Sequence, residues 1–285
     1  MRLCVMIEGQ EGVTWEDWLA LARATEELGF EALFRSDHYG PVVTEEERGS
    51  LDAWATLAAL ATVTSRIRLG TLVSPATFRH PSVLAKNAVT VDHISGGRVE
   101  LGLGAGWNEA EHRRYGFPFP PLRERMDVFA EQLEIVHRQW VEEPFSFEGE
   151  HYRLTDSDPQ PKPVRTPHPN LIVGGSGRPR SVALAARWAD EYNTLTTDPE
   201  ELRALRERIA AACAAEGREP LPLSVMTSIP GGGADEVLRL LAKLAESGVE
   251  RVMLQHLDHR NLDVLRAIAE VSPPGPGSPP APSAR

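Results

Sequence analysis

The sequence predicts an α/β protein with the (β/α)8 fold of TIM barrels. Short apolar runs alternate with amphipathic helical segments, and eight such strand-then-helix units can be counted. The apolar runs are nearly unbroken, which is typical of parallel strands that are covered by helices. Eight units close most simply as a barrel, and a chain of 285 residues is long enough for the roughly 250 residues of such a barrel. A doubly wound open sheet is the alternative.

The first four units have clear helix boundaries. Thr14 is the predicted N-cap of the first helix, and Gly29 ends that helix. Pro81 suits the first turn of the third helix. The segment from Tyr39 to Ser50 is predicted to be a long, mobile loop of the kind that often covers a site. The strands are Arg2 to Ile7, Glu31 to Ser36, Ile67 to Val73 and Val99 to Leu103, and the helices are Trp15 to Leu28, Leu51 to Thr62 and Pro81 to Ile94.

An insertion separates the fourth and fifth strands. A helical stripe runs from Met126 to Trp140, and the segment from Pro144 to Pro169 is interpreted as an inserted loop or small hairpin. Residues 1–272 are predicted to form one domain, and the proline-rich residues 273–285 a disordered tail. The later strands are Asn170 to Val173, Glu191 to Leu195, Leu223 to Ile229 and Arg251 to Leu254, and the later helices are one near Pro179, Pro199 to Glu216, Asp235 to Ala245 and Leu262 to Val271.

Composition points to a small-molecule partner. The formal net charge of −11 argues against a general nucleic-acid binder, because phosphate affinity depends on clustered Lys and Arg. Cys4 and Cys213 lack metal-type spacing and are expected to be buried, reduced thiols. No segment approaches the roughly 18 apolar residues of a membrane span. A cytoplasmic protein that binds neither nucleic acid nor membrane is therefore expected.

The active site of a barrel lies at the carboxyl ends of its strands, so the residues that end each strand should meet there despite their distance in sequence. One of these ends carries an imidazole beside a carboxylate, and two are rich in glycine. The ends are Glu8, Asp37-His38, Ser74-Pro75, Gly104 to Asn108, Gly174 to Gly177, Thr194, Ser228 and Gln255-His256.

The two glycine-rich ends are candidate ligand cradles. Gly104-Ala105-Gly106 could let a ligand approach the backbone, but Trp107 stands where a dinucleotide fingerprint would need glycine. Gly174-Gly175-Ser176-Gly177 precedes a helix and is a candidate phosphate cradle, with Arg178 and Arg180 nearby. Ordinary tight turns are the alternative in both places.

His38 is the candidate acid or base, and Asp37 could tune or orient it. A structural histidine is the alternative, which its position at a strand end makes less favourable. His256 and His259 lack the partners of a metal site, so no metal is predicted. Neither a serine-hydrolase elbow nor a Walker loop is present in the sequence.

Five segments together resemble the bacterial luciferase-like superfamily, and more narrowly its deazaflavin-dependent oxidoreductases. The resemblance covers nearly the whole chain up to about Val271, in the right order. The segments are GTLVSPATFRHP (70–81), GGRVELGLGAGWNEAEHRRYGFPFP (96–120), FEGEHYRL (147–154), PKP (161–163) and NLIVGGSG (170–177), and Asp37-His38 accompanies them.

This resemblance implies a barrel that binds coenzyme F420 across its strand ends, or FMN as in sister groups. Asp37 and His38 would lie near the deazaflavin ring. Leu72-Val73, followed by Ser74, would form a bulge with a non-prolyl cis peptide behind the ring. Relatives often carry an acid where this chain has Trp107, so His38 becomes the best candidate for the proton donor. Gly104, Ala105, Gly106 and Asn108, beside Trp107, would line the cofactor's linker, and Gly174, Gly175, Ser176 and Gly177 its phosphate end.

The resulting hypothesis is an F420-dependent oxidoreductase that transfers hydride between the deazaflavin and a small organic substrate. An FMN-dependent monooxygenase of the same superfamily is the first alternative, and a catalytically silent ligand-binding or structural member is the second. The resemblance also implies a homodimer or higher homo-oligomer. Substrate identity depends on the loop 39–50 and the insertion, which the sequence does not specify.

Overall fold

The predicted barrel is confirmed in a computed structural model, which describes residues 1–44, 48–231 and 233–271. Within these residues, eight parallel strands form a closed barrel. The strands are β1 (Arg2–Ile7), β2 (Ala32–Arg35), β3 (Arg68–Pro75), β4 (Val99–Gly104), β7 (Asn170–Gly174), β8 (Glu191–Thr194), β9 (Leu223–Ser228) and β10 (Arg251–Gln255). Their order around the barrel is β1, β10, β9, β8, β7, β4, β3, β2.

Helices cover the outside of the barrel, and their ends follow local sequence signals. Thr14 caps the first helix as predicted, in a reciprocal capping box with Asp17. Gly96 takes a left-handed conformation at the end of the third helix. The helices are α1 (Trp15–Glu27), α2 (Ala53–Val63), α3 (Pro81–Ser95), α4 (Glu109–Tyr115), α5 (Leu122–Val141), α6 (Pro179–Trp188), α7 (Pro199–Ala215), α8 (Ala234–Glu246) and α9 (Leu262–Val271).

A small hairpin lies in the predicted insertion between β4 and β7. Its antiparallel strands are β5 (Phe145–Glu148) and β6 (Arg153–Ser157). Phe145 and Leu154 of the hairpin form a small apolar cluster with Ile135 of α5. The predicted tail, residues 273–285, lies outside the described residues.

The main core lies between the barrel wall and the helices. Most apolar residues of the strands pack outward against α1 to α9, while a second cluster that includes Met6, Phe34 and Ile172 packs inside the barrel. Both cysteines are buried free thiols, as predicted, and burial raises the pKa of Cys4 to about 12. A thiol held neutral in this way is unreactive.

The interior of the barrel is tight at the β3 and β4 pair. A Cβ atom on Gly70 would lie 2.6 Å from the Glu100 carbonyl oxygen and 2.8 Å from a ring carbon of Phe34. Because the carbonyl belongs to the neighbouring strand, the backbone itself would have to move.

We therefore expect Gly70→Ala to lower the free energy of unfolding by about 1–3 kcal/mol, the usual cost of overpacking a core. Urea denaturation followed by circular dichroism measures this. Gly49→Ala is the matched control, since a Cβ atom at Gly49 meets nothing within 4 Å, and it should change stability by no more than about 0.5 kcal/mol. Equal effects of the two substitutions would contradict the predicted overpacking.

Candidate active site

The carboxyl ends of the strands meet at one mouth of the barrel, as the parallel topology requires. A hydrogen-bond network runs along the ends of four neighbouring strands, β9, β10, β1 and β2. Gln255 donates to Glu8 at 2.5 Å, Gln10 donates to the other oxygen of Glu8 at 2.8 Å, and the Ser36 hydroxyl donates to Gln10. Ser228 donates to Gln255 at 2.6 Å. The network fixes several side chains on this side of the mouth.

His38 pairs with a carboxylate that comes from another part of the chain. Its Nδ1 atom lies 2.7 Å from Oε2 of Glu111, a residue of α4. The other oxygen of Glu111 accepts hydrogen bonds from the backbone N–H groups of Tyr39 and Gly40. The side chains of His38 and Glu111 are 11% and 2% exposed, respectively, so water screens the pair poorly.

The electrostatics of this pair favour a protonated imidazole. Burial opposes the charged ring, but the hydrogen bond and charge of Glu111, with the charges of Glu8 and Asp37, outweigh burial and raise the pKa of His38 above its ordinary value. Burial likewise opposes the Glu111 carboxylate, yet His38 and the two backbone N–H groups lower its pKa. His38 can therefore carry a proton near neutral pH.

Asp37 does not contact the ring of its neighbour His38 through a hydrogen bond. Its carboxylate accepts from the Ser74 hydroxyl at 2.6 Å and from Arg79 at 2.6 and 3.1 Å. Trp54 in turn donates its indole N–H to Ser74 at 3.2 Å. Asp37 therefore does not orient His38, because adjacent residues at a strand end point in different directions and Asp37 is held by Ser74 and Arg79. The alternative expectation, that Asp37 tunes His38, agrees with its charge, which raises the pKa of His38.

The bulge implied at Leu72-Val73 is present, and the peptide bond between these residues is cis. The register between β3 and β4 shifts between Thr71 and Ser74, so the strand bends at this point. Val73 stays half-buried. Its methyl groups fill the space that Cβ atoms on Gly104 and Gly174 would need, at 2.8 and 3.0 Å. Because Gly104 and Gly174 have no side chains, the apolar side chain of Val73 fits against these two strand ends.

The turn after β4 exposes Trp107. Gly106 has a φ of 79°, a conformation that favours glycine, and the chain then places the Trp107 side chain in solvent, 65% exposed. The indole meets the His38 ring edge-on with 5.8 Å between centroids. Asn108 caps α4 by accepting from the N–H of Glu111 at 3.3 Å, so its side chain has a structural task besides any ligand contact.

The glycine-rich turn after β7 has fewer available donors than its sequence suggests. The N–H of Gly175 donates to the Asn193 carbonyl at 3.0 Å, and that of Gly177 to the Tyr192 hydroxyl at 2.9 Å. Ser176 remains exposed between them. Arg180 pairs with Asp127, whereas the exposed side chain of Arg178 makes no hydrogen bond or ion pair with any described residue. Ser176 and Arg178 are the groups here that are open to an anion.

A cavity of about 620 Å³ lies beside the mouth, between the ends of β9 and β10 and the helices α8 and α9. Ser228 and Gln255 line it, which connects it to the network on Glu8. Its walls are mainly apolar, with Asp258 and Asp263 also lining it. Volumes of this size hold small organic molecules.

Three residues of the mouth were missed by sequence reasoning. Glu111 and Arg79 lie 73 and 42 positions from the residues they contact, and neither belongs to a strand end. Gln10 lies just beyond the first strand and is fully buried. The available signals were the positions of Glu111 inside the segment 96–120 and of Arg79 inside the segment 70–81, and neither segment gives a partner. Among the described residues, no cluster of His, Cys, Asp and Glu could hold a metal ion, and no helix is long and apolar enough to cross a membrane.

Comparison of the sequence with models of known protein families shows the family of this chain. The family described as luciferase-like monooxygenase matches residues 3–265. The chain belongs to the luciferase-like monooxygenase family. The resemblance that was inferred from the five segments is thus confirmed, and the protein is an oxidoreductase of this family.

Individual relatives of this luciferase-like protein differ in their cofactor. It is 34% identical to the uncharacterized protein Rv0953c of Mycobacterium tuberculosis over 88% of this chain and 90% of that protein. It is also 34% identical to an F420-dependent glucose-6-phosphate dehydrogenase of Intrasporangium calvum over 63% of this chain and 53% of that protein. An FMNH(2)-dependent dimethylsulfone monooxygenase of Pseudomonas putida is 32% identical over 56% of this chain and 43% of that monooxygenase. The matches to the last two span about half of each relative.

Among solved structures, an F420-dependent secondary alcohol dehydrogenase in complex with an F420-acetone adduct aligns with a TM-score of 0.80. It covers 94% of this chain and 98% of that chain at 18% identity. At this identity the likeness supports the fold alone.

Proposed function

We propose that this luciferase-like protein is a coenzyme F420-dependent oxidoreductase that transfers hydride between the deazaflavin and a small organic substrate. The observation that carries the proposal is His38, held at the barrel mouth with a raised pKa and ion-paired to Glu111. The similarity to F420-dependent enzymes supports the choice of deazaflavin.

The residues of the mouth fit a flat, apolar ring with an anionic tail. Leu72, Val73 and Ser74 at the bulge would lie behind the ring, since Val73 is half-buried and apolar. The turn from Gly104 to Asn108 would lie along the linker. The turn from Gly174 to Gly177 would receive the phosphate through Ser176, and Arg178 would add positive charge for a tail.

A bound deazaflavin would accept or donate the hydride. The chain's own residues would manage the proton that accompanies it. His38 would give a proton to the substrate through Nε2 during reduction, or take one during oxidation. Trp107 would cover one side of the reacting groups and exclude water. Asp37 would hold the bulge through Ser74 rather than exchange protons.

An FMN-dependent monooxygenase is the second candidate, because the similarity to the dimethylsulfone monooxygenase is of the same order. A catalytically silent ligand-binding or structural member is the third. Cytoplasmic location and a homodimer or higher homo-oligomer stay predictions.

Fluorescence titration with F420 and with FMN distinguishes these candidates. We expect F420 to bind in the micromolar range or tighter, a free energy of about −8 kcal/mol or better, and FMN to bind at least tenfold more weakly. Arg178→Ala should weaken F420 binding, whereas the control Arg187→Ala, which changes a residue near the other end of α6, should not. Tight FMN binding without F420 binding would overturn the proposal in favour of the monooxygenase, and binding of neither would favour the silent member. Hydride transfer is then tested with reduced F420 and a series of enones and imines.

A further inference from the structure

The carboxylate of Glu111 joins two segments that are far apart in sequence. The first turn of α4 presents the side chain, and Asn108 fixes the start of that helix. One oxygen of the carboxylate contacts the His38 ring, and the other holds the backbone of Tyr39 and Gly40. Both oxygens are therefore occupied by donors from the segment that carries His38.

We propose that Glu111 is the positioning residue of His38, which fixes the imidazole with Nδ1 as the N–H nitrogen and leaves Nε2 to exchange the proton. This inference rests on the proposed function, in which His38 handles a proton. A carboxylate can only accept hydrogen bonds, so the nitrogen that faces it must carry hydrogen. The hydrogen bond that the described residues make to the His38 ring involves Nδ1, not Nε2.

Among residues 1–44, 48–231 and 233–271, no other carboxylate of the mouth is placed to orient the ring in this way. Asp37 is held by Ser74 and Arg79. Glu8 accepts from Gln10 and Gln255 and reaches His38 only through its charge. The indole of Trp107 contacts the ring edge-on and offers no carboxylate. Within the part of the chain that the structure describes, the charged groups that face His38 are thus Glu111 from α4, Glu8 after β1 and Asp37 after β2, the last ion-paired to Arg79.

The arrangement also couples the ring to the following loop. The two backbone N–H groups that Glu111 holds belong to the residues directly after His38. Loss of the carboxylate would therefore loosen both the ring and the backbone that carries it. Substitution of Glu111 by glutamine removes the charge and retains the size of the side chain, so it separates the effect of charge from that of shape.

Glu111→Gln tests the proposal, with Glu109→Gln as the matched control. Glu109 lies in the first turn of the same helix and is exposed. Nitrogen-detected NMR of the histidine rings in the protein without cofactor reports the pKa and tautomer of His38. In Glu111→Gln we expect the pKa to fall and the neutral ring to lose its Nδ1–H preference, while Glu109→Gln leaves both unchanged. An unchanged pKa and tautomer in Glu111→Gln would overturn the proposal.

Kinetics give a second measurement. With F420 and an accepted substrate, we expect kcat of Glu111→Gln to fall at least about tenfold with KM changed much less, and its pH profile to move to lower pH. Glu111→Asp retains the charge on a shorter arm and should restore much of the His38 pKa. If Glu111→Gln does not fold, Glu111→Asp replaces it as the test. The proposal would then be contradicted if the pKa of His38 in Glu111→Asp were as low as that of a histidine without a carboxylate partner. If the protein proves not to use F420, the proposed function fails, but the NMR comparison still decides whether Glu111 sets the state of His38.

Discussion

Replacement of His38 by alanine is expected to lower kcat by about 100- to 10,000-fold, the usual contribution of a positioned acid or base. The reason is that the carboxylates near the ring are engaged by other donors: Glu8 accepts from Gln10 and Gln255, and Glu111 holds the backbone of Tyr39 and Gly40. Asp37 is ion-paired to Arg79, and the indole of Trp107 is not an acid at neutral pH. Steady-state kinetics with F420 and an accepted substrate measure the loss.

Affinity for the cofactor should change little in His38→Ala, because a ring of this size contributes little to the binding of a large cofactor. His93→Ala is the control, since His93 is exposed at the opposite end of α3 from the mouth, and it should retain full activity. Turnover of every substrate at the wild-type rate in His38→Ala would contradict the catalytic role of His38. Any F420-dependent turnover would still exclude the silent member.

Replacement of Arg251 by methionine is expected to have the largest effect on stability. Arg251 is 1% exposed and lies at the start of β10, at the end of the barrel opposite the mouth. Its guanidinium pairs with Glu100 at 2.7 Å, Glu191 at 3.1 Å and Glu31 at 2.9 Å. Removal of one partner from a buried ion network costs about 3–5 kcal/mol, because the remaining charges lose their compensation.

The loss should depend on pH in a defined direction. Burial opposes the charge of Glu100, but Arg251 and Arg68 lower its pKa to about 2. Wild-type Glu100 therefore contributes stability above its unfolded pKa, and this contribution is lost only as the pH falls toward 2. Burial, together with the charge of Glu100, raises the pKa of Glu191 despite Arg251. Without Arg251 the pKa values of both carboxyls rise, so protonation can relieve them in mildly acidic solution.

Urea denaturation at pH 7.5 and pH 5 measures this dependence. The stability difference between wild type and Arg251→Met should be largest at pH 7.5 and should shrink at pH 5. Arg2→Met is the matched control, because Arg2 pairs with the same Glu31 at 3.1 Å but is partly exposed, and it should cost less than about 1 kcal/mol. A difference that grows at pH 5 would show that the carboxylates do not cause the loss.

The fold was predictable because its signals are local. Apolar runs of strand length, the Thr14 cap and the glycines that follow helices each lie within a few residues of the boundary they mark. The order of the eight units then implied the barrel. Element ends differ by only a few residues, as at β3, which continues through the bulge to Pro75.

The site was predictable only in part, because its contacts are not local. The position of His38 at a strand end followed from the fold, and the bulge at Leu72-Val73 followed from the resemblance. The partner of His38 did not, since Glu111 comes from a short helix beyond the next two strands. Likewise, no sequence signal shows that Tyr192 and Asn193 already occupy two amides of the glycine-rich turn.

The ion network around Arg251 has a consequence for how the chain folds. Its carboxylates are contributed by β4, β8 and the residue before β2, but the guanidinium arrives with β10, the final strand of the barrel. Until that strand docks between β1 and β9, Glu100 lacks its main cation and the barrel has an open seam. Closure of the barrel therefore brings these three carboxylates their shared cation, and we expect the two to occur together.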